Sequence, residues 1–400
     1  MQFSQRTNWN TEESELALAY RKRVHAGLPI YDLTGANPTR CHFDYPAELL
    51  DGLSNRLALD YNPDPKGSRI AREAVAAYYA DHHVSIDPDH LILTTSTSEA
   101  YSFLFRLLCD PGSEVLVPQP SYPLFDFLAT LDDVRLKYAP LVYDEGWQID
   151  SEGFQQAITP ATRAIMLVHP NNPTGHFMKS WEVTELAHLC RERRLSLIVD
   201  EVFLDYRMEA QSAAHELSAS FAAGLDGLSV YVVSGLSKIA ALPQMKAAWI
   251  AVTGPSSTEA LARLEVIADT FLSMNAPVQC AIPGWLSRRN QLQGQIRARV
   301  SANLANLDLQ ISQQAADKGL LSRLVVEGGW YAVLRIPALI PDEQAARELL
   351  EVGVWIHPGS FFGMEPSGWL VMSLLGPTDK TQAGVTRLID YLYTNQKYNN

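Results

Sequence analysis

Lys238 lies in Ser234-Gly-Leu-Ser-Lys238, a lysine among small and apolar residues, where a desolvated amine can attack an aldehyde. Thirty-eight positions earlier, Asp200 closes the apolar run Leu195-Ser-Leu-Ile-Val-Asp200. Twenty-eight before that, Asn172 sits in Asn171-Asn172-Pro173-Thr174-Gly175, a tight loop by composition. The three residue types suit one chemistry. The lysine forms a Schiff base, the carboxylate pairs with a ring nitrogen and keeps the ring an electron sink, and the amide binds a phenolic oxygen. Those are requirements of pyridoxal phosphate.

In this order and at these spacings the motifs resemble the class I/II aminotransferases, fold-type I pyridoxal phosphate enzymes, from about Asp32 to about Leu375. Asn-Pro-Thr-Gly alone is a weak signal, but Asp-Glu-Val and Ser-x-x-Ser-Lys following it make a strong one. The resemblance implies pyridoxal phosphate as cofactor and Lys238 as the catalytic residue. Lys238 would hold the cofactor as an internal aldimine, then move a proton between the substrate Cα and the cofactor C4′. The implied activity is ping-pong exchange of an amino group between an amino acid or related amine and a 2-oxo acid.

Thr94-Thr95-Ser96-Thr97-Ser98-Glu99 follows a strand and opens a helix. By itself it is either a Ser/Thr cap or an anion site at a helix N-terminus. Beside Lys238 and Asp200 we read Ser96, Thr97 and Ser98 as a phosphate cup. The resemblance adds Lys246, which stands where relatives usually carry arginine and offers a point charge instead of a fork, and either Ser234 or Ser237 is expected to compensate for the serine that relatives carry at Gly235. Gly235 stands where a serine is common. Tyr122, in Pro120-Ser-Tyr122-Pro, matches the aromatic that stacks on the pyridine ring. Phe203 occupies a usual tyrosine position, so Asn172 is expected to hold the phenolic oxygen alone unless Tyr206 supplies a hydroxyl.

Tyr61, in Tyr61-Asn-Pro-Asp-Pro-Lys-Gly67, matches a tyrosine that reaches the neighbouring subunit's phosphate, which implies a homodimer. A plain turn tyrosine is its other reading. Gly35 matches a glycine whose backbone approaches the substrate carboxylate, and with Asn172 and Arg335 it makes the expected substrate-binding set. A plain loop glycine remains open for Gly35, and a surface or interface arginine for Arg335. Arg335 enters because the usual carboxylate-clamping arginine is replaced by Val371 in Leu370-Val-Met-Ser-Leu-Leu375. That departure leaves open a relocated arginine, an amine without a neighbouring carboxylate, or a donor held by its side chain. It also keeps alive another reaction on the same cofactor, namely an eliminating lyase, a decarboxylase or a cyclase. With no second arginine assigned, apolar, aromatic or specialised donors are expected before aspartate or glutamate. His357, in Trp355-Ile-His357-Pro-Gly-Ser, receives no role.

These residues need a scaffold that brings them together. Apolar runs at Leu91–Thr95, Glu114–Val117, Arg135–Ala139, Ala164–His169, Leu195–Asp200, Ser229–Val233 and Ala247–Val252 read as strands, several buried on both faces. Helical spacing at Ser98–Leu108 and Ser180–Arg193 alternates with them. The expected fold is α/β: a mainly parallel seven-stranded sheet between helices, with a smaller α+β domain from the N-terminal segment and the C-terminal third. Its expected parts are an arm at 1–44, a large domain at 45–265 and a small domain at 266–400. Trp285–Gln314 and Pro341–Glu351 read as helices there, and Trp330–Ile336, Val354–His357 and Leu370–Leu375 as strands.

Four hundred residues at 47% hydrophobic bury a large core, and a net charge of −13 without basic clusters excludes a nucleic-acid or anionic-membrane surface. A ligand-sensing regulator would carry a basic DNA-binding segment, which this sequence lacks. Four scattered cysteines form no CxxC pair, so no metal is expected, and a polar N-terminus suggests a cytoplasmic protein.

Overall fold

The computed structural model describes residues 2–208, 219–272, 274–314, 319–395 and 398, with residue 314 described by its backbone alone. Strands β1 (Tyr31–Asp32), β2 (Leu91–Thr94), β3 (Glu114–Gln119), β4 (Arg135–Tyr143), β5 (Trp147–Ile149), β6 (Thr162–Val168) and β7 (Ser196–Asp200) come first in the chain. They are followed by β8 (Val230–Gly235), β9 (Ala248–Thr253), β10 (Ser322–Arg323), β11 (Tyr331–Arg335), β12 (Val354–Trp355), β13 (His357–Pro358) and β14 (Trp369–Ser373). The helices run α1 (Glu15–His25), α2 (Arg69–Asp81), α3 (Thr97–Leu108), α4 (Phe125–Leu131), α5 (Ser151–Ala157) and α6 (Ser180–Arg193). Then come α7 (Leu236–Ile239), α8 (Ser257–Phe271), α9 (Ala276–Gln314), α10 (Asp342–Glu351) and α11 (Thr378–Thr394).

All seven expected strands form, and they join one sheet in the order β2-β9-β8-β7-β6-β3-β4-β5. Pairings from β8 through β7, β6 and β3 to β4 are parallel, whereas β9 runs antiparallel to both of its neighbours. The eighth strand, β5, was not expected, because three residues are too few to display a period. It closes a hairpin on β4. The Val/Ile/Leu runs serve two faces at once: Leu197 and Val199 pack into one core, Ile198 into the other, and Trp249 and Ile250 divide likewise. Each such fully buried side chain contributes about 1.5–3 kcal/mol relative to exposure.

The C-terminal third builds a second sheet in the order β10-β11-β14-β13. The expected strand at Val354–His357 is corrected to two: β12 pairs with β1, while His357 and Pro358 pair with β14. Buried Ile356 lies between them. The expected helix at Trp285 begins earlier, at Ala276, and runs through Pro283.

The sheet order decides where chemistry can happen. The carboxyl ends of β2, β3, β6, β7 and β8 meet at one edge, where open α/β sheets bind ligands. Reversed β9 brings its amino end, next to Lys246, to that same edge.

Gly235 ends β8 opposite Ala248, and a Cβ built there would stand 2.8 Å from the Ala248 Cβ and 2.9 Å from the Ala247 carbonyl oxygen. This close approach explains why serine is missing at that position. Gly235→Ser should lower the unfolding free energy by about 1–3 kcal/mol, as overpacking does, measurable by chemical denaturation.

Candidate active site

At the shared strand edge lies a cavity of about 290 Å³ lined by Ser96, Thr97, Ser98, Tyr122, Asn172, Asp200, Ser237, Lys238 and Lys246, among others. They arrive from six separate segments of the chain. Ser96 caps α3, its Oγ accepting from the Glu99 N–H at 3.1 Å, and leaves the first-turn amides of Thr97 and Ser98 facing outward from the helix start. Lys238 follows β8 on the short helix α7. Lys246 sits exposed at the rim with φ +53, a left-handed conformation that turns the chain back into β9.

The Asn172 loop is held from beneath. The Asn171 Oδ1 accepts from the Thr174 hydroxyl at 2.7 Å, and Gly175 adopts φ +71. A Cβ on Gly175 would meet the Gly328 carbonyl oxygen at 2.7 Å, so only glycine allows this approach. The Asn172 Oδ1 is buried without a hydrogen-bond partner, leaving the carboxamide uncommitted to the protein.

Asp200 and Glu201 separate because successive strand residues point oppositely. Asp200 lines the cavity. Its Oδ2 accepts from the Tyr101 hydroxyl at 2.6 Å and its Oδ1 from the Val202 N–H at 2.9 Å. Burial nevertheless pushes its carboxyl up to about 6, against those two bonds and the Lys238 charge. Glu201 turns away and accepts from the Ser220 hydroxyl at 2.7 Å. Burial lowers the Lys238 amine to about 8, with Asp200 opposing the shift. The Lys238 Nζ stands 5.6 Å from the Phe203 ring and 5.0 Å from that of Trp330. Tyr122 packs edge-on to Phe125 with ring centroids 5.6 Å apart.

Three expected residues are not in this wall. Tyr61 is 85% exposed and lines a separate surface cleft with Gly67 and Asn275. The Gly35 carbonyl accepts from the Ser373 hydroxyl at 2.8 Å. Arg335 does not reach the cavity: it is exposed at the far end of β11, four residues past Tyr331, and stacks on Trp369 at 5.4 Å. Tyr206 is spoken for, since its hydroxyl donates to the Lys238 carbonyl at 2.8 Å.

Two residues escaped the sequence reading. Tyr101 had a signal, because it lies one helical turn after Thr97 and so shares its face. Tyr331 had none, since it enters the wall from the second sheet.

A family model, aminotransferase class I and II, matches residues 55–388. The chain belongs to the class I and II aminotransferases. Aminotransferases of this family use pyridoxal phosphate, and the chain is a fold-type I transaminase by that membership. A tyrosine aminotransferase of Dictyostelium discoideum is 23% identical over 88% of this chain and 86% of its own length. An alanine aminotransferase of Mycobacterium tuberculosis is 29% identical over 64% of this chain and 60% of its own length. In structure, an alanine aminotransferase from Pyrococcus furiosus superposes with a TM-score of 0.86 at 22% identity, covering 98% of this chain and 100% of that one. These comparisons favour transamination over elimination, decarboxylation or cyclisation. The aminotransferase cofactor fits what is here: an amine, a carboxylate and an uncommitted carboxamide around one cavity, with helix-start amides at one end.

The raised Asp200 carboxyl makes a stability contribution that is present below its ordinary value and lost as pH rises through about 6. Tyr101→Phe removes a donor that lowers it, so the loss should deepen. In cofactor-stripped protein we expect about 1–3 kcal/mol less unfolding free energy at pH 8 and little change at pH 4. Urea titrations at the two pH values check this.

Proposed function

We propose that Lys238 is the residue that binds the cofactor aldehyde and carries the proton between donor carbon and cofactor. The convergence of nine residues from six separate segments on one cavity around Lys238 and Asp200 supports this reading. Pyridoxal phosphate supplies an electron sink for the carbanion character that develops when the donor loses its Cα proton. The rest is assigned to the chain. Asp200 pairs with the ring nitrogen and Asn172 donates to the phenolic oxygen. The Ser96, Thr97 and Ser98 segment binds the phosphate, with Ser237 and Lys246 beside it. Tyr122 covers one ring face and excludes water. Lys238, partly neutral near pH 8 through burial, both accepts the Cα proton and returns it.

The amino donor exchanges with a 2-oxo acid. Apolar or aromatic donors fit the wall best, since Tyr122, Phe125, Phe203 and Tyr331 line it and Lys238 and Lys246 are its cations among the described residues. We divide the chain into an arm at 1–44, a large domain from 45 and a small C-terminal domain. The second boundary moves from 265 to the end of α8, because 265 falls inside that helix and α8 packs on α3. Free, scattered cysteines and the lack of a membrane-length apolar helix among the described residues suit a cytoplasmic setting.

Donor added alone should replace the yellow band of the loaded protein with a shorter-wavelength one, and a 2-oxo acid should restore it. Lys238→Ala should show no such cycle and turn over at least about a hundredfold slower. Products forming while the protein stays yellow would mean elimination instead.

The active unit in this reading is a homodimer, with Tyr61 at the neighbouring site. Leu59 at 81% exposed, Tyr61 at 85% and Ile70 at 57% are exposed apolar side chains in this stretch, which suits such a contact. Sedimentation should report a dimer, and Tyr61→Phe should weaken phosphate-dependent cofactor retention. A monomer with full activity would overturn this part.

A further inference from the structure

In the function proposed above Asp200 serves a ring nitrogen, and it attracts a cationic ring only as a carboxylate. Burial works against that form and pushes the carboxyl up to about 6. Three groups oppose burial: the Tyr101 hydroxyl on α3, the Val202 N–H after β7 and the Lys238 charge on α7. Tyr79, Tyr122 and Glu201 also feel the Asp200 charge. Burial raises both of those phenols, which stay neutral, and pushes Glu201 up to about 7. Of the three opposing groups, Lys238 is committed to the cofactor aldehyde. The Val202 N–H is a backbone group that any residue except proline would supply. Tyr101 is left as the side chain that sets the state of Asp200.

The geometry suits that task. The Tyr101 hydroxyl donates to the Asp200 Oδ2 at 2.6 Å, a length typical of a bond to an ionised oxygen. Its buried ring stacks on Phe105 at 6.4 Å and meets Phe125 edge-on at 5.1 Å. Phe125 in turn packs edge-on to Tyr122, and both line the cavity. Burial first, then the Asp200 charge, hold the Tyr101 phenol well above its ordinary value, so it keeps its proton and remains the donor. Thr97 and Tyr101 are four residues apart on α3 and share a face. One helix thus offers amides at its start and, a turn later, the hydroxyl that holds Asp200.

We propose that Tyr101 is the positioning residue for the cofactor's ring nitrogen: its hydroxyl keeps Asp200 ionised and oriented, so that the proton shared with the ring nitrogen stays on the ring. This role rests on the cofactor reading above, in which Asp200 faces that nitrogen. A carboxylate that already accepts a strong hydrogen bond is a weaker base than a bare one, and the weaker base of a pair leaves the proton with its partner. Without the hydroxyl, Asp200 competes for that proton, and the ring loses the charge that makes it an electron sink.

The test uses cofactor-stripped full-length protein, titrated calorimetrically at pH 7 with pyridoxal 5′-phosphate and with its 1-deaza analogue, in which C–H replaces the ring nitrogen. Wild-type protein should prefer the nitrogen-containing ligand. Tyr101→Phe should cut that preference roughly tenfold, through weaker pyridoxal phosphate binding and without weakening the analogue. Equal weakening of both ligands would assign Tyr101 to packing alone and overturn the proposal, as would an unchanged preference. Tyr101→Met, also free of a donor, decides in the same way should circular dichroism show the phenylalanine variant unfolded. A wild-type protein that binds both ligands equally would overturn the ring-nitrogen role of Asp200 itself, and with it the premise of this inference.

Discussion

An ammonium and a carboxylate removed from water each cost several kcal/mol, and a buried pair is stable only when further hydrogen bonds satisfy it. Lys238 and Asp200 meet that condition unequally. Asp200 has the Tyr101 hydroxyl and the Val202 amide, whereas Lys238 faces two aromatic rings. The carboxyl is driven up and the amine down by the same burial. In the proposed reading, a ligand with a protonated ring nitrogen at one end and an aldehyde carbon at the other would relieve both. The strand order, the cap on α3 and the Asn172 loop all serve to hold that strained pair across one cavity.

A second buried pair behaves differently. Lys179 and Glu327 meet at 2.8 Å, the Glu327 carboxylate also accepts from the Phe177 N–H at 2.9 Å, and the Lys179 amine donates to the Trp147 carbonyl at 2.9 Å. This network lacks the cavity's ambiguity. It ties the segment after Asn172 to the segment before Tyr331, and the Gly175 and Gly328 backbones come together beside it. Lys238 and Asp200 thus stand at the cavity without an ion pair between them, whereas the Lys179–Glu327 pair ties the two sheets together. Breaking a buried pair of the second kind typically costs 3–5 kcal/mol, because it strands a charge.

The large sheet was readable because double-sided burial leaves unbroken Val, Ile and Leu runs, and all seven expected strands formed. Strand β5 was missed because three residues carry no period. The Val354–His357 run was read as one strand, but partner choice splits it between β1 and β14. Among site residues, those on loops after strands were legible from residue type and spacing. Arg335 misled because a strand's sequence reveals alternation but not which end of it meets the cavity.

From the sequence alone, Lys238, Asp200 and Asn172 already suggested the chemistry, because a Schiff-base lysine, a ring-nitrogen carboxylate and a loop amide are local requirements written as residue types. Long-range register was beyond it. That His357 stands opposite Val371, that Tyr101 bonds Asp200 and that Tyr331 closes the wall were decided only when distant strands and helices packed. Hydrogen-bond register and side-chain direction belong to pairs of segments, and no single segment encodes its partner.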